Sequence, residues 1–121
     1  MRMWMLPPII LCQQHLLGEH NEIHKHKHNF EKQHKMDGRI EPIPQIIPVK
    51  MQERHDELAK EMLRRNRNHK SPYKMPSISY LPLKYLTAKA NIEFNINDLI
   101  TRCSECKKRY LQYKYHNSVG L

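Results

Sequence analysis

The first regular pattern in the chain is a set of apolar residues at helical spacing between Gln13 and Gln33. Leu16, Ile23 and Phe30 recur at seven-residue steps, so a helix would place all three on one side. We predict a first helix here that ends near the Asp37-Gly38 pair, which is a turn signal.

A second periodic segment runs from about residue 51 to residue 65. The positions i, i+4, i+7 and i+11 of its inward face hold Met51, His55, Leu58 and Met62. Asn66 or Asn68 is suited to the left-handed conformation that ends such a helix.

A third helix is predicted near the end of the chain. Asn95 or Asn97 is suited to its N-cap, and Asp98 favours the positive end of the helix dipole. One face of this helix would hold Leu99, Cys103, Cys106 and Tyr110. An aromatic and basic tail follows from residue 110 onward.

Proline-rich segments separate the three helical patterns. Three prolines between residues 39 and 50, and three more between residues 71 and 82, exclude regular helix there. Within the second segment, Ser77–Leu81 is predicted to be a short extended piece. The sequence thus predicts an all-α single domain, residues 1–121, of three main helices joined by long Pro-containing loops.

The charge of the chain indicates which class of partner the protein binds. Lys and Arg number 21 against 12 Asp and Glu, which gives a formal charge of +9 and a pI near 9.6. Such a charge opposes compaction unless a polyanion neutralises it, and the available polyanions are nucleic acid and anionic membrane.

The sequence argues against a membrane partner. The apolar run Met3–Cys12 is interrupted by Pro7-Pro8, is far shorter than the roughly 20 residues that span a bilayer, and lacks a cleavage site. Three cysteines cannot all pair within one chain, and the composition is not that of a disulfide scaffold. We therefore expect a cytoplasmic protein with no signal peptide, no transmembrane segment and no membrane partner.

Carboxylates and imidazoles share one face of the predicted first helix. His15, Glu19, Glu22 and His26 are spaced 4, 3 and 4 residues apart. Their proximity is consistent with general acid–base chemistry, for which pKa values near neutrality are useful. The alternative interpretation is a solvated polar face with i, i+4 pairs, and spacing by itself favours that alternative.

Two further patterns resemble metal ligands. His20, His24 and His28 lie one helical turn apart, but interleaved lysines would repel a cation. Cys103-Ser-Glu-Cys106 is a lone C-x-x-C motif, and a structural zinc would need two more ligands, with His116 the nearest. Because both thiols fall on the apolar face, we interpret them as core cysteines and predict no bound metal and no cofactor.

Basic residues recur in the second half of the chain, at Arg64-Arg65-Asn-Arg67, at Arg102 and at Lys107-Lys108-Arg109. Lys114 lies between Tyr113 and Tyr115. Cations supply phosphate contacts and tyrosines supply stacking faces, a combination that nucleic-acid-binding proteins use. The alternative is that some of these residues form solvated helix faces.

Three segments of the chain resemble the pyrimidine dimer DNA glycosylase family, the small endonuclease V-like enzymes of phage, viruses and bacteria. They are Met1-Arg-Met-Trp4, the run Gln14-His-Leu-Leu-Gly-Glu-His-Asn-Glu-Ile-His24, and Arg54-His-Asp-Glu-Leu-Ala-Lys-Glu-Met-Leu-Arg-Arg-Asn66. Residues 31–39 and the terminal Tyr113-Lys-Tyr115 are similar as well, in the same order. The connections after Gly38 and after Pro82 differ in length from the phage type.

The resemblance implies an all-α monomer that binds duplex DNA with damaged or abasic sites, kinks it and flips a base. It implies attack by the N-terminal α-amine on the sugar, then a Schiff base and β-elimination. Arg2 is too bulky for usual removal of the initiator methionine, so the nucleophile would be the amine of Met1. That amine has a reference pKa of about 7.7–8.0, which the cation of Arg2 would lower.

The resemblance also implies roles for individual residues. Glu22 matches the catalytic carboxylate, which stabilises the cationic sugar and moves protons. His20 and Asn21 stand where phage-type enzymes carry tyrosine and arginine, which bears on the choice of lesion. The residues expected at the DNA are Arg2, His15, Glu19, His20, Asn21, Lys25, Arg102, Lys107, Tyr113, Lys114 and Tyr115.

Two other functions remain open from the sequence. A non-enzymatic nucleic-acid-binding protein would need only the charge, the tyrosines and the helices. A histidine- and cysteine-based zinc-binding protein would contain stoichiometric metal and lose stability with chelator.

Overall fold

The computed structural model describes residues 2–41, 43–67 and 72–119. These residues form six α-helices and two short 3-10 helices, and no strand occurs among them. The α-helices are α1 (Gln13–Glu31), α2 (Asp37–Ile40), α3 (Met51–Arg64), α4 (Leu83–Leu86), α5 (Ile92–Arg102) and α6 (Ser104–Val119). The 3-10 helices are Pro8–Ile10 and Pro48–Lys50. The predicted all-α fold is confirmed.

Helix α1 has the inward face that its periodicity predicts, with Leu16, Ile23 and Phe30 all buried. It ends at Glu31, earlier than predicted, because Gln33 adopts a left-handed conformation with φ of 56° and turns the chain. The Asp37-Gly38 pair was wrongly predicted to be a terminal turn. It begins α2, where an acidic residue in the first turn suits the helix dipole.

Helix α3 confirms the second predicted pattern, since the four residues of its predicted inward face are all buried. Asn66, which follows the C-cap residue Arg65, has a φ of 61° and is the predicted left-handed residue. The alternative, Asn68, lies outside the described residues.

The third predicted helix is two helices, α5 and α6, which meet at Cys103. The backbone of Cys103 is extended, with φ of −131° and ψ of 110°, so the helical hydrogen bonds stop there. The predicted N-caps were wrong. Asn91 caps α5 by accepting a hydrogen bond from the Phe94 N–H at 3.0 Å, because no proline or glycine prevents the helix from starting a turn earlier. The segment predicted to be extended, Ser77–Leu81, contains no strand.

The core is built around the N-terminal segment, residues 2–12, which passes between the helices. Met3, Trp4 and Leu6 are each at most 2% exposed and pack with the inward faces of α1, α3 and α5. Burying such a side chain contributes about 1.5–3 kcal/mol. The Met3 N–H donates to the Gln45 carbonyl at 2.7 Å, which fixes the segment beside the loop before α3.

Within the described part of the chain, no helix has the length and apolar character needed to cross a bilayer.

Candidate active site

The buried carboxylate of Glu19 on α1 holds the N-terminal segment in place. Arg54 of α3 donates from Nε to Glu19 Oε2 at 2.6 Å and from Nη2 to Oε1 at 2.9 Å. The same carboxylate accepts hydrogen bonds from the backbone N–H groups of Trp4 and Met5. Glu19 is 0% exposed, so its oxygens bind groups of the protein and position the chain beside Arg2.

Burial and pairing act in opposite directions on Glu19 and Arg54. Burial raises the pKa of Glu19, while Arg54 and the backbone N–H groups act in the opposite direction. Burial also acts to lower the pKa of Arg54, but the carboxylates of Glu19 and Glu57 outweigh it and raise that pKa. Two charge-assisted hydrogen bonds in parallel are the strongest arrangement for such a pair.

A cavity of about 370 Å³ opens beside this N-terminal segment and is lined by Arg2, Trp4, His15, Gln45 and Arg102. Arg2 pairs with Asp98 at 3.0 Å, and its guanidinium lies 5.2 Å from the Trp4 ring centre. Met1, whose α-amine is the predicted nucleophile, lies outside the described residues. Its neighbour Arg2 is held in place at the cavity by these contacts.

Glu22 lies on α1 one turn beyond Glu19 and is 6% exposed. Its Oε1 is 2.9 Å from Nε2 of His26 and 3.7 Å from Nη2 of Arg39. Arg39 also donates from Nη1 to Oε1 of Gln45 at 2.8 Å. Polar contacts therefore lead from Glu22 through Arg39 to Gln45, which lines the cavity.

His26 presents a defined tautomer to Glu22. Its Nδ1 accepts from the Asn29 side-chain amide at 3.0 Å, so its Nε2 carries the proton and donates to Glu22. Burial lowers the pKa of His26. Arg39 and Lys25 also act to lower this pKa, whereas Glu22 acts to raise it. The solvated-face interpretation is wrong for Glu19, Glu22 and His26, because all three side chains are buried.

His15 lies at the other side of the cavity, next to three thiols. Its Nδ1 is 3.1 Å from Sγ of Cys12 and 3.5 Å from Sγ of Cys106, and Sγ of Cys103 lies 3.8 Å from that of Cys12. Burial lowers the pKa of His15, and Arg102 lowers it further. Cys106 is fully buried, as predicted for a core cysteine, but the sequence interpretation missed that Cys12 and His15 join it.

A second imidazole cluster lies between α1 and α3. His20 and His24 meet His55, with Nε2 of His24 3.1 Å from Nε2 of His55, and the His55 ring stacks on Tyr73. His28, predicted to extend the His20–His24 row, is exposed and contacts His34 instead.

The remaining predicted DNA-contact residues lie at the surface. Asn21 and Lys25 are exposed on α1, Tyr113 is half-buried, and the exposed members nearer the end of the chain are Arg102, Lys107, Lys114 and Tyr115. Two basic clusters that are separate in sequence meet here, since Arg64 and Arg109 line one cavity of about 480 Å³ with Tyr113.

Two arginines in those clusters have partners within the protein. Arg65 donates to the carbonyl of Leu11 at 2.8 Å and pairs with Glu61 at 2.7 Å. Arg109 donates to the carbonyl of Ile9 at 3.2 Å. Arg65 and Arg109 therefore hold the N-terminal segment in place. This structural role was not predicted, because the sequence suggested only solvated or DNA-binding cations.

Several residues around the site were missed from sequence, for identifiable reasons. Arg54 lies three residues after Met51 on the inward side of α3, so its position in the pattern signalled burial. Nothing in the sequence pairs it with Glu19. Arg39 and Asn29 have no periodic signal. Cys12-Gln-Gln-His15 has the same spacing as the recognised C-x-x-C motif and would have been the signal for the thiol cluster.

Comparison with known proteins identifies the family. A family model described as pyrimidine dimer DNA glycosylase matches residues 1–75, the segment that contains α1, α3 and the Glu19–Arg54 pair. Searches of curated proteins and of solved structures gave no match. Because the match covers more than half of the 121 residues, the chain belongs to the pyrimidine dimer DNA glycosylase family.

Proposed function

We propose that this protein excises pyrimidine dimers from duplex DNA as a glycosylase and then cleaves the strand as an abasic-site lyase. The family match over residues 1–75, which includes Met1 and Glu22, is the observation that carries the proposal. The +9 charge supports a DNA substrate, because sequence-independent attraction to phosphate scales with the cations offered.

The proposed chemistry begins at the α-amine of Met1. The neutral amine attacks C1′ of the damaged nucleotide, and the glycosidic bond breaks with its electron pair leaving on the base, which takes up a proton. Loss of a proton and opening of the sugar give a Schiff base. Removal of a C2′ proton then expels the 3′ phosphate, and water releases the amine. Arg2, held by Asp98, favours the neutral amine.

Glu22 is proposed to stabilise the cationic sugar and to receive and return these protons. Its burial supports this role, because charge interactions strengthen where water is excluded. The hydrogen bond from His26 fixes the direction of the carboxylate. The Arg39 guanidinium at 3.7 Å keeps a positive charge beside Glu22 and extends toward the cavity through Gln45.

The surrounding residues are proposed to hold the DNA. Arg102, at the cavity rim, would contact phosphates beside the lesion, and Asn21 and Lys25 would face the duplex from α1. Lys107, Lys114, Tyr113 and Tyr115 of α6 would contact the flanking backbone and unstacked bases. A monomer presents all of these groups on one chain.

Borohydride trapping tests the proposal. The protein is incubated with duplex DNA that carries a cyclobutane dimer or an abasic site, and the reduced covalent adduct is resolved on a denaturing gel. We expect trapping by the wild type and none after acetylation of the N-terminal amine. The expectation for Glu22→Gln is dimer-dependent trapping lowered by about 10²–10⁴-fold, the usual contribution of acid–base catalysis.

The matched control is Glu31→Gln, an exposed carboxylate at the end of the same helix, which should trap like the wild type. A wild type that binds DNA without forming an adduct would instead support the non-enzymatic nucleic-acid-binding protein. Trapping that survives the blocked amine would place the nucleophile on a lysine.

A further inference from the structure

We propose that Cys12, His15, Cys103 and Cys106 form a structural zinc site that fastens the start of α6 to the start of α1. The four ligand atoms, three Sγ and one imidazole nitrogen, lie within 4.8 Å of one another. Three cysteines and one histidine are an established ligand set for structural zinc. The proposal is independent of the glycosylase activity.

Two of the separations between the ligand atoms match a tetrahedron around one ion. Zinc bonds of about 2.3 Å to sulfur and about 2.0–2.1 Å to nitrogen separate two sulfurs by about 3.8 Å and a sulfur from a nitrogen by about 3.5–3.6 Å. Sγ of Cys12 and Sγ of Cys103 are 3.8 Å apart. Sγ of Cys106 and Nδ1 of His15 are 3.5 Å apart, and Cys12 Sγ lies 3.1 Å from the same nitrogen.

The two helix starts present these ligands in the same way. Cys12 is the N-cap of α1 and His15 is its third residue, and Cys103 directly precedes α6 with Cys106 as its third residue. Both pairs therefore have the i, i+3 spacing of a zinc-binding half-site. Thiolates at helix N-termini are stabilised by the positive end of the helix dipole.

Backbone donors complete the surroundings of the sulfurs. The Cys12 N–H donates to Sγ of Cys106 at 3.2 Å, and the Cys106 N–H donates to Sγ of Cys103 at 3.4 Å. Such donors orient thiolate ligands and reduce their charge. Three thiolates and a neutral histidine around Zn²⁺ leave a net charge of about −1. Arg102 beside the site favours that charge, and Glu105 beside it opposes it.

The site also explains how the second half of the chain is held to the first. The family match ends at residue 75, and Cys103 and Cys106 lie beyond it. A metal ion would join the unmatched segment to residues at the beginning of the matched one, across 91 positions of sequence. It would also fix His15 and Arg102 at the cavity that they share with Arg2.

Metal analysis and cobalt spectroscopy test the proposal. The full chain is purified under reducing conditions without a histidine tag. Elemental analysis is expected to give about one zinc per chain. Replacement by Co²⁺ is expected to give the visible bands of a tetrahedral ion and near-ultraviolet thiolate-to-cobalt charge transfer. Reduced protein that shows no charge-transfer band on cobalt titration overturns the proposal.

Variants locate the ion. Cys106→Ser should lose the metal and the charge-transfer band. His24→Gln, which disrupts the other imidazole cluster, should keep the metal and the cobalt spectrum of the wild type. His15→Cys should keep a bound ion with a stronger charge-transfer band, which tests the fourth ligand in a variant expected to fold. Loss of metal in His24→Gln with retention in Cys106→Ser places the ion at the histidine cluster and overturns the proposal.

Discussion

Arg54 and Glu19 are joined by two parallel hydrogen bonds in the interior, 2.6 and 2.9 Å long, between side chains that are 2% and 0% exposed. The carboxylate uses its remaining acceptor capacity on the backbone N–H groups of Trp4 and Met5. This pair therefore couples two helices to the chain segment that carries the predicted nucleophile. Helix α3 contributes no residue to the lining of the cavity, but through Arg54 it supports the segment that borders the cavity.

Removal of Arg54 should destabilise the protein strongly. Arg54→Met leaves the Glu19 charge buried without its cation, and breaking a buried pair in this way costs about 3–5 kcal/mol. The free energy of unfolding from urea titration measures the loss. Arg64→Ala is the matched control, because its guanidinium is exposed and pairs with Glu61 on the same helix; its unfolding midpoint should stay near that of the wild type. Equal midpoints for the two variants would contradict the assigned role of Arg54.

The N-cap of α5 can be tested by comparing two asparagines. Asn91→Ala removes the acceptor for the Phe94 N–H and should lower the free energy of unfolding by about 0.5–2 kcal/mol. Asn97→Ala, in the exposed interior of the helix, should be close to neutral, since alanine has the higher helix propensity. A larger loss for Asn97→Ala than for Asn91→Ala would restore the N-cap predicted from sequence.

His26 should make stability depend on pH. Its pKa in the folded protein lies below the ordinary value of 6.5, chiefly because of burial, with Arg39 and Lys25 adding to the shift and Glu22 opposing it. The unfolded chain therefore binds the proton more readily than the folded one. The contribution is fully present above pH 6.5 and falls as the pH drops below 6.5 toward the folded pKa.

Urea unfolding at several pH values between about 5 and 8 measures this dependence. His26→Gln should flatten the decline below pH 6.5 relative to the wild type. The matched control is His28→Gln, an exposed histidine two residues away, which should leave the slope unchanged. An unaltered slope in His26→Gln would show that other groups, His15 among them, account for the dependence.

The cations of α6 should appear in the salt dependence of DNA binding. Each phosphate contact contributes about 0.9 to the slope of log affinity against log salt on duplex DNA. The double variant Lys107→Ala, Lys114→Ala should thus reduce that slope by about 2 when binding to an undamaged duplex is titrated at several salt concentrations. Lys84→Ala, whose ammonium pairs with Glu41, should keep the wild-type slope. An unchanged slope in the double variant would exclude both lysines from the DNA interface.

The all-α fold and the inward faces of α1 and α3 were predictable from local periodicity. Leu16, Ile23 and Phe30 are buried because a helix must place residues seven apart on one side, whatever it packs against. The break at Cys103 was not predictable in this way. The residues around it lack proline and glycine, and at the break Sγ of Cys103 lies 3.8 Å from Sγ of Cys12, a residue distant in sequence.

By itself, the sequence determined the helical class, the basic charge, the resemblance to the glycosylase family and the spacing of residues on each helix, because these depend on local order and composition. Only the tertiary structure decided which side chains meet: Glu19 with Arg54, Glu22 with Arg39, and His15 with three cysteines. Apart from Cys12 and His15, which are neighbours on α1, the members of these pairs are well separated in the chain. Helix packing, which no local pattern encodes, brings them within ion-pairing or ligand distance.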